Sequence, residues 1–235
     1  MQCAAVEAIP EPWPLNPSDW PLSAALLIID MQRDFCEPGG YIASMGYGVE
    51  HVDPLIPRIA AVRHRMERFG AKIIYTREGH RPDLADLTPQ KAARSRRGGA
   101  EIGAPGPLGR FLVRGEPGWD IIPQLSPGNN DIVIDKPGYS AFHATDLEQI
   151  LRVHGVRCLV LCGVTTDVCV HSTLRAAIDL GFDCLVLEDC CAATVAEHHT
   201  SAIGTIATEG GIFGSVTSSK SLLAATENLQ DLDAF

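Results

Sequence analysis

Three observations predict an α/β fold built on a mostly parallel sheet of about six strands with helices on both faces. Short, continuously apolar runs alternate with segments of helical periodicity, the order that makes a strand–helix–strand crossover. The runs have no polar alternation, as expected of strands covered on both sides. The chain has 235 residues, 46% hydrophobic and 20% charged, enough for one large core. No internal repeat or linker separates a second unit, so residues 1–235 read as one domain.

The elements follow in order. Residues 1–23, "MQCAAVEAIPEPWPLNPSDWPLS", are proline-rich and read as an extended arm. They lack a basic region followed by an apolar core, so no signal peptide is expected. "AALLIID" (Ala24–Asp30) is the first strand. "VDPLIPRIAAVRHRMERFG" (Val52–Gly70) is a helix with a terminal glycine stop. "AKIIYT" is the second strand and "DIVIDK" (Asp131–Lys136) the third. A short helix around "TDLEQILRVHG" takes Thr145 as its N-cap. "RCLVLCG" is the fourth strand, "TDVCVHSTLRAAIDLG" the next helix, "FDCLVLED" the fifth strand. "AEHHTSAIGTIATEGG" is a helix ending at Gly210, and "IFGSV" a short last strand. Between Arg77 and Asn130 the chain is rich in glycine, proline and charge. A loop of that length in a compact domain serves as a lid, a pocket wall or an oligomer contact.

Charge and cysteine usage exclude several classes. A net charge of -10 argues against a nucleic-acid or anionic-membrane surface. The longest basic cluster, "RSRRGG" (Arg94–Gly99), reads as a solvated loop. No apolar stretch reaches the ~20 residues of a membrane span. The eight cysteines show no CxxC or finger spacing. Cys158 and Cys162 face one side of a strand, too far apart to bridge. Most of these thiols read as small buried hydrophobes of a cytoplasmic protein.

Ligands of open α/β sheets bind beyond the carboxyl ends of the strands. Asp30 closes the first strand, Lys136 closes the third, and Cys169 lies just past the fourth, in the first turn of a helix capped by Thr166. A helix N-terminus or a neighbouring ammonium lowers a thiol pKa from its usual ~8.5. Asp30 is placed to accept the thiol proton and Lys136 to hold Asp30, a nucleophile, base and orienting group. The same residues also fit a buried packing cysteine, a helix-capping aspartate and a lysine in a surface turn.

"LLIIDMQRDF", "DKPGYSAFHATDLEQIL" and "CGVTTDVCVHSTLRAAIDLGFDCLVLEDCCAAT" resemble the isochorismatase-like cysteine hydrolases, from about Ala24 to Ser219. The resemblance implies a catalytic Asp30, Lys136 and Cys169. It also implies a cis peptide bond at Val164–Thr165 and an oxyanion hole made by the backbone amides of Thr165 and Cys169. "MQRDFCEPGGYIASMGY", "TREGHRPDLADL", "RGEPGWDIIPQL" and "EGGIFGSV" look most like the biuret and triuret hydrolases, with ureidoacrylate amidohydrolases next. The substrate implied is a small ureido compound, cleaved at a C–N bond without metal or other cofactor. Nicotinamidases carry an Asp/His metal site; here "MQRDFC" has no histidine, so no such site is expected, and His80 reads either as a lone ligand or, more ordinarily, as a solvated or hydrogen-bonded loop histidine. Phe35, Arg77, His80, Tyr139, Phe142 and Glu209 are the expected substrate-binding residues. Glu209 stands where biuret hydrolases tend to have glutamine. An acceptor-only carboxylate there suits the distal N–H groups of triuret and repels a carboxylate such as that of ureidoacrylate, while the same residue also reads as a solvated helix C-terminal residue. A homo-oligomer is expected, a tetramer by the resemblance. From other classes, a non-catalytic binding relative and a thiol redox sensor remain as alternatives.

Overall fold

The computed structural model describes residues 5–16 and 19–227. Its main sheet has six strands: β1 (Ala24–Ile29), β2 (Lys72–Glu78), β5 (Ile132–Lys136), β6 (Cys158–Val164), β7 (Asp183–Ala192) and β8 (Ser215–Thr217). The order is β5-β2-β1-β6-β7-β8 and every pairing is parallel. A two-stranded antiparallel ribbon, β3 (Pro105–Gly106) with β4 (Gly109–Arg110), stands apart.

Burial explains the pattern of strand sequences. Every residue of the central strands β1 and β6 is buried, so each is apolar throughout. Strand β5 lies at an edge, and its Val133 is exposed. Strand β2 runs two residues past the expected "AKIIYT" to include Arg77 and Glu78, because both find ion-pair partners on other elements. The last strand starts at Ser215, three residues later than expected, since Ile212 and Phe213 belong to the preceding turn.

Helix α3 (Leu55–Arg68) follows β1 and packs across β2, β1, β6 and β7, and α8 (Ser219–Thr226) lies beside it. α5 (Leu147–Val153) leads into β6; α6 (His171–Asp179) and α7 (Ala196–Gly211) make the crossovers that follow β6 and β7. Strand order runs one way from β1 to β5 and the other way from β6 to β8. Right-handed crossovers therefore put α3 on one face and α6 and α7 on the other. The reversal between β1 and β6 opens a crevice at their carboxyl ends.

The segment expected as a long loop contains α4 (Pro89–Arg97), capped by Thr88, whose Oγ1 accepts from the Lys91 amide at 3.2 Å. "RSRRGG" is thus the end of a helix and not a loop. Short helices α1 (Arg33–Cys36) and α2 (Tyr41–Ser44) follow β1. Thr145 is not the N-cap of α5, which is Asp146; its hydroxyl donates to the Ala141 carbonyl at 2.6 Å and accepts from the Leu147 amide at 3.4 Å. Residues 5–16 form a strap. Val6 bridges Trp13, and Ile9 exchanges two 2.9 Å hydrogen bonds with Val216 on the edge strand β8. Trp13, Trp20 and Phe69 stack edge-on at 5.1 and 5.4 Å beneath it.

Candidate active site

Three strand ends and one tight turn meet in the crevice. The penultimate residue of β6 is Gly163, whose φ is +113° and whose place has no room for a side chain. A Cβ there would lie 2.1 Å from the Ile29 carbonyl oxygen on β1. The Val164–Thr165 peptide bond is cis. The chain then makes a π-helical turn, Thr166–Val170, in which the Val170 amide reaches the Thr165 carbonyl at 3.1 Å. Thr166 is inside this turn and not its cap; its hydroxyl is 2.8 Å from His199 Nδ1.

Cys169 is buried in that turn, and its Sγ donates to Glu78 Oε2 at 3.2 Å. Lys136 is fully buried, with Nζ 2.7 Å from Asp30 Oδ2, 3.5 Å from Glu78 Oε2 and 3.0 Å from the Gly138 carbonyl. Asp30 sits at φ +50°, a conformation that aspartate tolerates better than most residues. Thr76 fixes it: its hydroxyl donates to Asp30 Oδ1 at 2.6 Å, and its carbonyl accepts from the Asp30 amide at 3.2 Å. Acceptor or thiol atoms of Asp30, Glu78 and Cys169 all lie within 4.8 Å of one another.

The structure thus brings Asp30, Lys136 and Cys169 together and adds Glu78, the end residue of β2. Glu78 is held on both sides. Its amide donates to Gln32 Oε1 at 2.7 Å and its carbonyl accepts from Gln32 Nε2 at 2.9 Å. Its Oε1 accepts from Lys91 Nζ at 2.5 Å. The strand-end rule that picks out Asp30 and Lys136 also picks out Glu78, once β2 is given its full length. Lys91, Arg94 and Ser95 follow from α4, where spacings of three and four put them on one helix face.

Electrostatics divides the two carboxylates. Burial pushes the Asp30 carboxyl up, and Lys136 counters only part of this. Burial acts on Glu78 in the same sense, but Lys136 and Lys91 outweigh it and hold that carboxyl below the usual range. Burial opposes the charge on Lys136, yet Asp30, Cys169 and Glu78 raise its pKa overall. For the Cys169 thiol the expectation is reversed. Burial drives its pKa well up; Lys136 opposes this, while Asp30 and Glu78 reinforce it. The resting thiol is protonated and needs a base.

A cavity of about 250 Å³ opens onto Cys169, Thr165 and Glu78. Phe35 and Tyr139 line it as expected, with Lys91 and Arg94. The other expected contacts lie elsewhere. Arg77 pairs with Asp135 at 2.8 Å and stacks over Trp119 at 3.6 Å. Phe142 stacks on Phe182. His80 is buried against Asp86 and lines a neighbouring cavity of about 420 Å³, which shares Lys91, Arg94 and Tyr139 with the first. Glu209 is exposed, at φ +51°, where α7 turns back to enter β8. In a parallel sheet that turn is at the amino ends of the strands, so this chain does not bring Glu209 to its own crevice.

Among the described residues, the cluster that offers metal-ligand atoms is Asp30, Glu78 and Cys169. Lys136 Nζ already stands between its two carboxylates, so the donor set is built around an ammonium ion.

The isochorismatase domain profile matches residues 24–221. The chain belongs to the isochorismatase family. Ureidoacrylate amidohydrolase RutB of Acinetobacter baylyi is 31% identical over 223 residues, covering 90% of this chain and 87% of that protein. The enzyme of the same name from Pantoea ananatis is 33% identical over 178 residues, 72% of this chain and 69% of its own. Among solved structures, a cysteine hydrolase from Pseudomonas syringae superposes with a TM-score of 0.76 at 27% identity, covering 97% of this chain and 99% of that one. This isochorismatase-family chain is an amide-hydrolysing enzyme. No described helix is long and apolar enough to cross a membrane.

Proposed function

We propose that the enzyme hydrolyses the terminal C–N bond of a small ureido compound bearing a carboxylate, of the ureidoacrylate type. One observation carries the choice: among the described residues the Arg94 guanidinium makes no ion pair or hydrogen bond, yet it lines the cavity that opens on Cys169. Arg94 is exposed, and an exposed arginine that lines a largely apolar cleft without a partner of its own is free to take a substrate carboxylate. The named relatives point the same way. The preference for triuret rests on Glu209 facing the substrate, which this chain's own crevice does not support.

Asp30, the carboxylate with the raised pKa, is the better base; Glu78, held ionised by two lysines, is the poorer one. Asp30 takes the thiol proton as Sγ attacks the ureido carbonyl carbon. The backbone amides of Thr165 and Cys169 are assigned to the oxyanion, a role typically worth about 10²–10³ per donor. The C–N bond then breaks, Asp30 returns the proton to the leaving nitrogen, and ammonia departs. Water gives a proton to Asp30 and attacks the thiocarbamate carbon, and Asp30 passes that proton to the departing sulfur. The C–S bond breaks, the thiol is restored, and the second product is an N-carboxylated amine. A redox-sensor role fits less well, because the thiol is buried and its pKa is raised.

Ammonia release from ureidoacrylate, biuret, triuret, allophanate and nicotinamide tests the reading. Ureidoacrylate should give the highest kcat/KM. Arg94→Ala should lower it by about 10-fold or more and spare biuret, as loss of a charge-assisted contact implies. Faster turnover of biuret or triuret, or equal losses on both substrates, would overturn it.

A further inference from the structure

The site contains two carboxylate–lysine pairs around one thiol: Asp30 with Lys136 and Glu78 with Lys91. The proton-transfer chemistry uses only the first. The second is equally well built. Glu78 is buried, and its backbone is clamped above and below by the Gln32 amide. Its Oε1 is taken by Lys91, so the atom facing the reacting sulfur is Oε2.

In the resting enzyme Oε2 accepts the thiol hydrogen. When that proton moves to Asp30, Oε2 loses its closest donor, keeps only the long 3.5 Å contact with Lys136 Nζ, and faces a thiolate. A carboxylate can only accept hydrogen bonds, so the arrangement calls for a new N–H at this place. Sulfur attacks a carbonyl carbon from about 3 Å. An oxygen 3.2 Å from the sulfur therefore lies beside the carbon's substituents. In a ureido group both substituents are nitrogens bearing hydrogen. In a simple carboxamide one of them is carbon.

Building on the ureido reading above, we propose that Glu78 Oε2 accepts the N–H of the nitrogen retained in the product. This makes Glu78 the residue that selects ureido compounds over plain carboxamides. Lys91, anchored also to the Pro137 carbonyl at 2.7 Å, holds the other oxygen and fixes the carboxylate plane. Glu78→Gln keeps the shape, but its one acceptor oxygen will turn to Lys91, whose contact at 2.5 Å is far closer than that of Lys136 at 3.5 Å. Its NH₂ is then left facing the substrate N–H, donor against donor.

The test compares substrates with analogues in which methylene replaces that N–H: ureidoacrylate against glutaconic acid monoamide, and biuret against malonamide. Wild-type enzyme should prefer the N–H member of each pair by roughly 10–100-fold in kcat/KM, and Glu78→Gln should bring each ratio near one. Alkylation of Cys169 by iodoacetamide should be as fast as in wild type or faster, because a negative charge beside the thiol is gone. A merely structural role would slow both members of a pair equally. Unchanged ratios in Glu78→Gln, or no wild-type preference in either pair, would overturn the proposal. If ureidoacrylate is not hydrolysed, the carboxylate reading alone has failed, and the biuret–malonamide pair still decides the role of Glu78.

Discussion

Replacing Lys136 by methionine isolates what the buried ammonium does. Its Nζ lies 2.7 Å from Asp30 and 3.5 Å from Glu78, and all three side chains are buried. At an effective dielectric near 20 the two attractions are about 6 and about 5 kcal/mol before desolvation is charged against them. Methionine fills the volume but strands two carboxylates within 4.8 Å of each other. Breaking a buried ionic group in this way costs about 3–5 kcal/mol, hence roughly 6–20 °C in Tm for a chain of this length. The loss should depend on pH. In the variant the Asp30 pKa, already raised by burial, rises further above its unfolded value. The unfolded chain then ionises first, and stability falls as pH climbs above about 4. In the wild type, Lys136 has a folded pKa above its unfolded one. Its contribution is therefore fully present below about pH 10 and constant across this range. Glu78, with a depressed pKa, contributes stability above its unfolded pKa and loses it in acid. The gap between wild type and variant should therefore widen from pH 4 to 8, as measured by calorimetry. Adding Asp30→Asn should recover much of it. Parallel Tm curves, or a gap that narrows with rising pH, would refute the reasoning.

Cys169→Ser should fold with wild-type Tm and release no measurable ammonia, since a serine hydroxyl has a far higher pKa than a thiol and this site already resists ionisation; near-normal turnover would remove the thiol from the mechanism. Gly163→Ala places a Cβ 2.1 Å from the Ile29 oxygen and forces β1 from β6. Strain and overpacking should cost about 2–4 kcal/mol, and the displaced Asp30 and Cys169 about 10²-fold in kcat; both are read from one preparation by thermal unfolding and steady-state rates. Exhaustive chelation should leave turnover unchanged, because Lys136 occupies the place a cation would take. Loss on chelation with recovery on added zinc would contradict that.

What could be read in advance follows burial and locality. β1 and β6 are plain because a central parallel strand has no solvent face, so the residues after them, Asp30 and Thr165–Cys169, are already aligned with the crevice. Glu78 escaped because Arg77 and Glu78 look like the start of a polar loop. The partners that let them extend a strand, Asp135, Lys91 and Lys136, are remote in sequence. α4 escaped because "PQKAARSRR" has hardly any apolar side chains to set a helical period, leaving only Thr88–Pro89 as a start signal. The state of the thiol is not legible in the sequence for a different reason. A helix start and a neighbouring lysine argue for a low pKa, but complete burial outweighs them, and burial depends on elements that sequence spacing does not locate. Glu209 shows the same limit: a residue name says nothing about which end of a sheet its helix reaches.

The strap across β8 ties the fold to the order of synthesis. Ile9 pairs with Val216, so residues 5–16 wait for the last strand of the sheet. At about 5–20 residues per second, a ribosome needs roughly 10–40 s to cover that separation. Through that interval Val6, Trp13 and Trp20 have no finished sheet edge to dock on. Newly made chains should therefore bind holdase chaperones through this N-terminal stretch, and let go when the edge strand emerges.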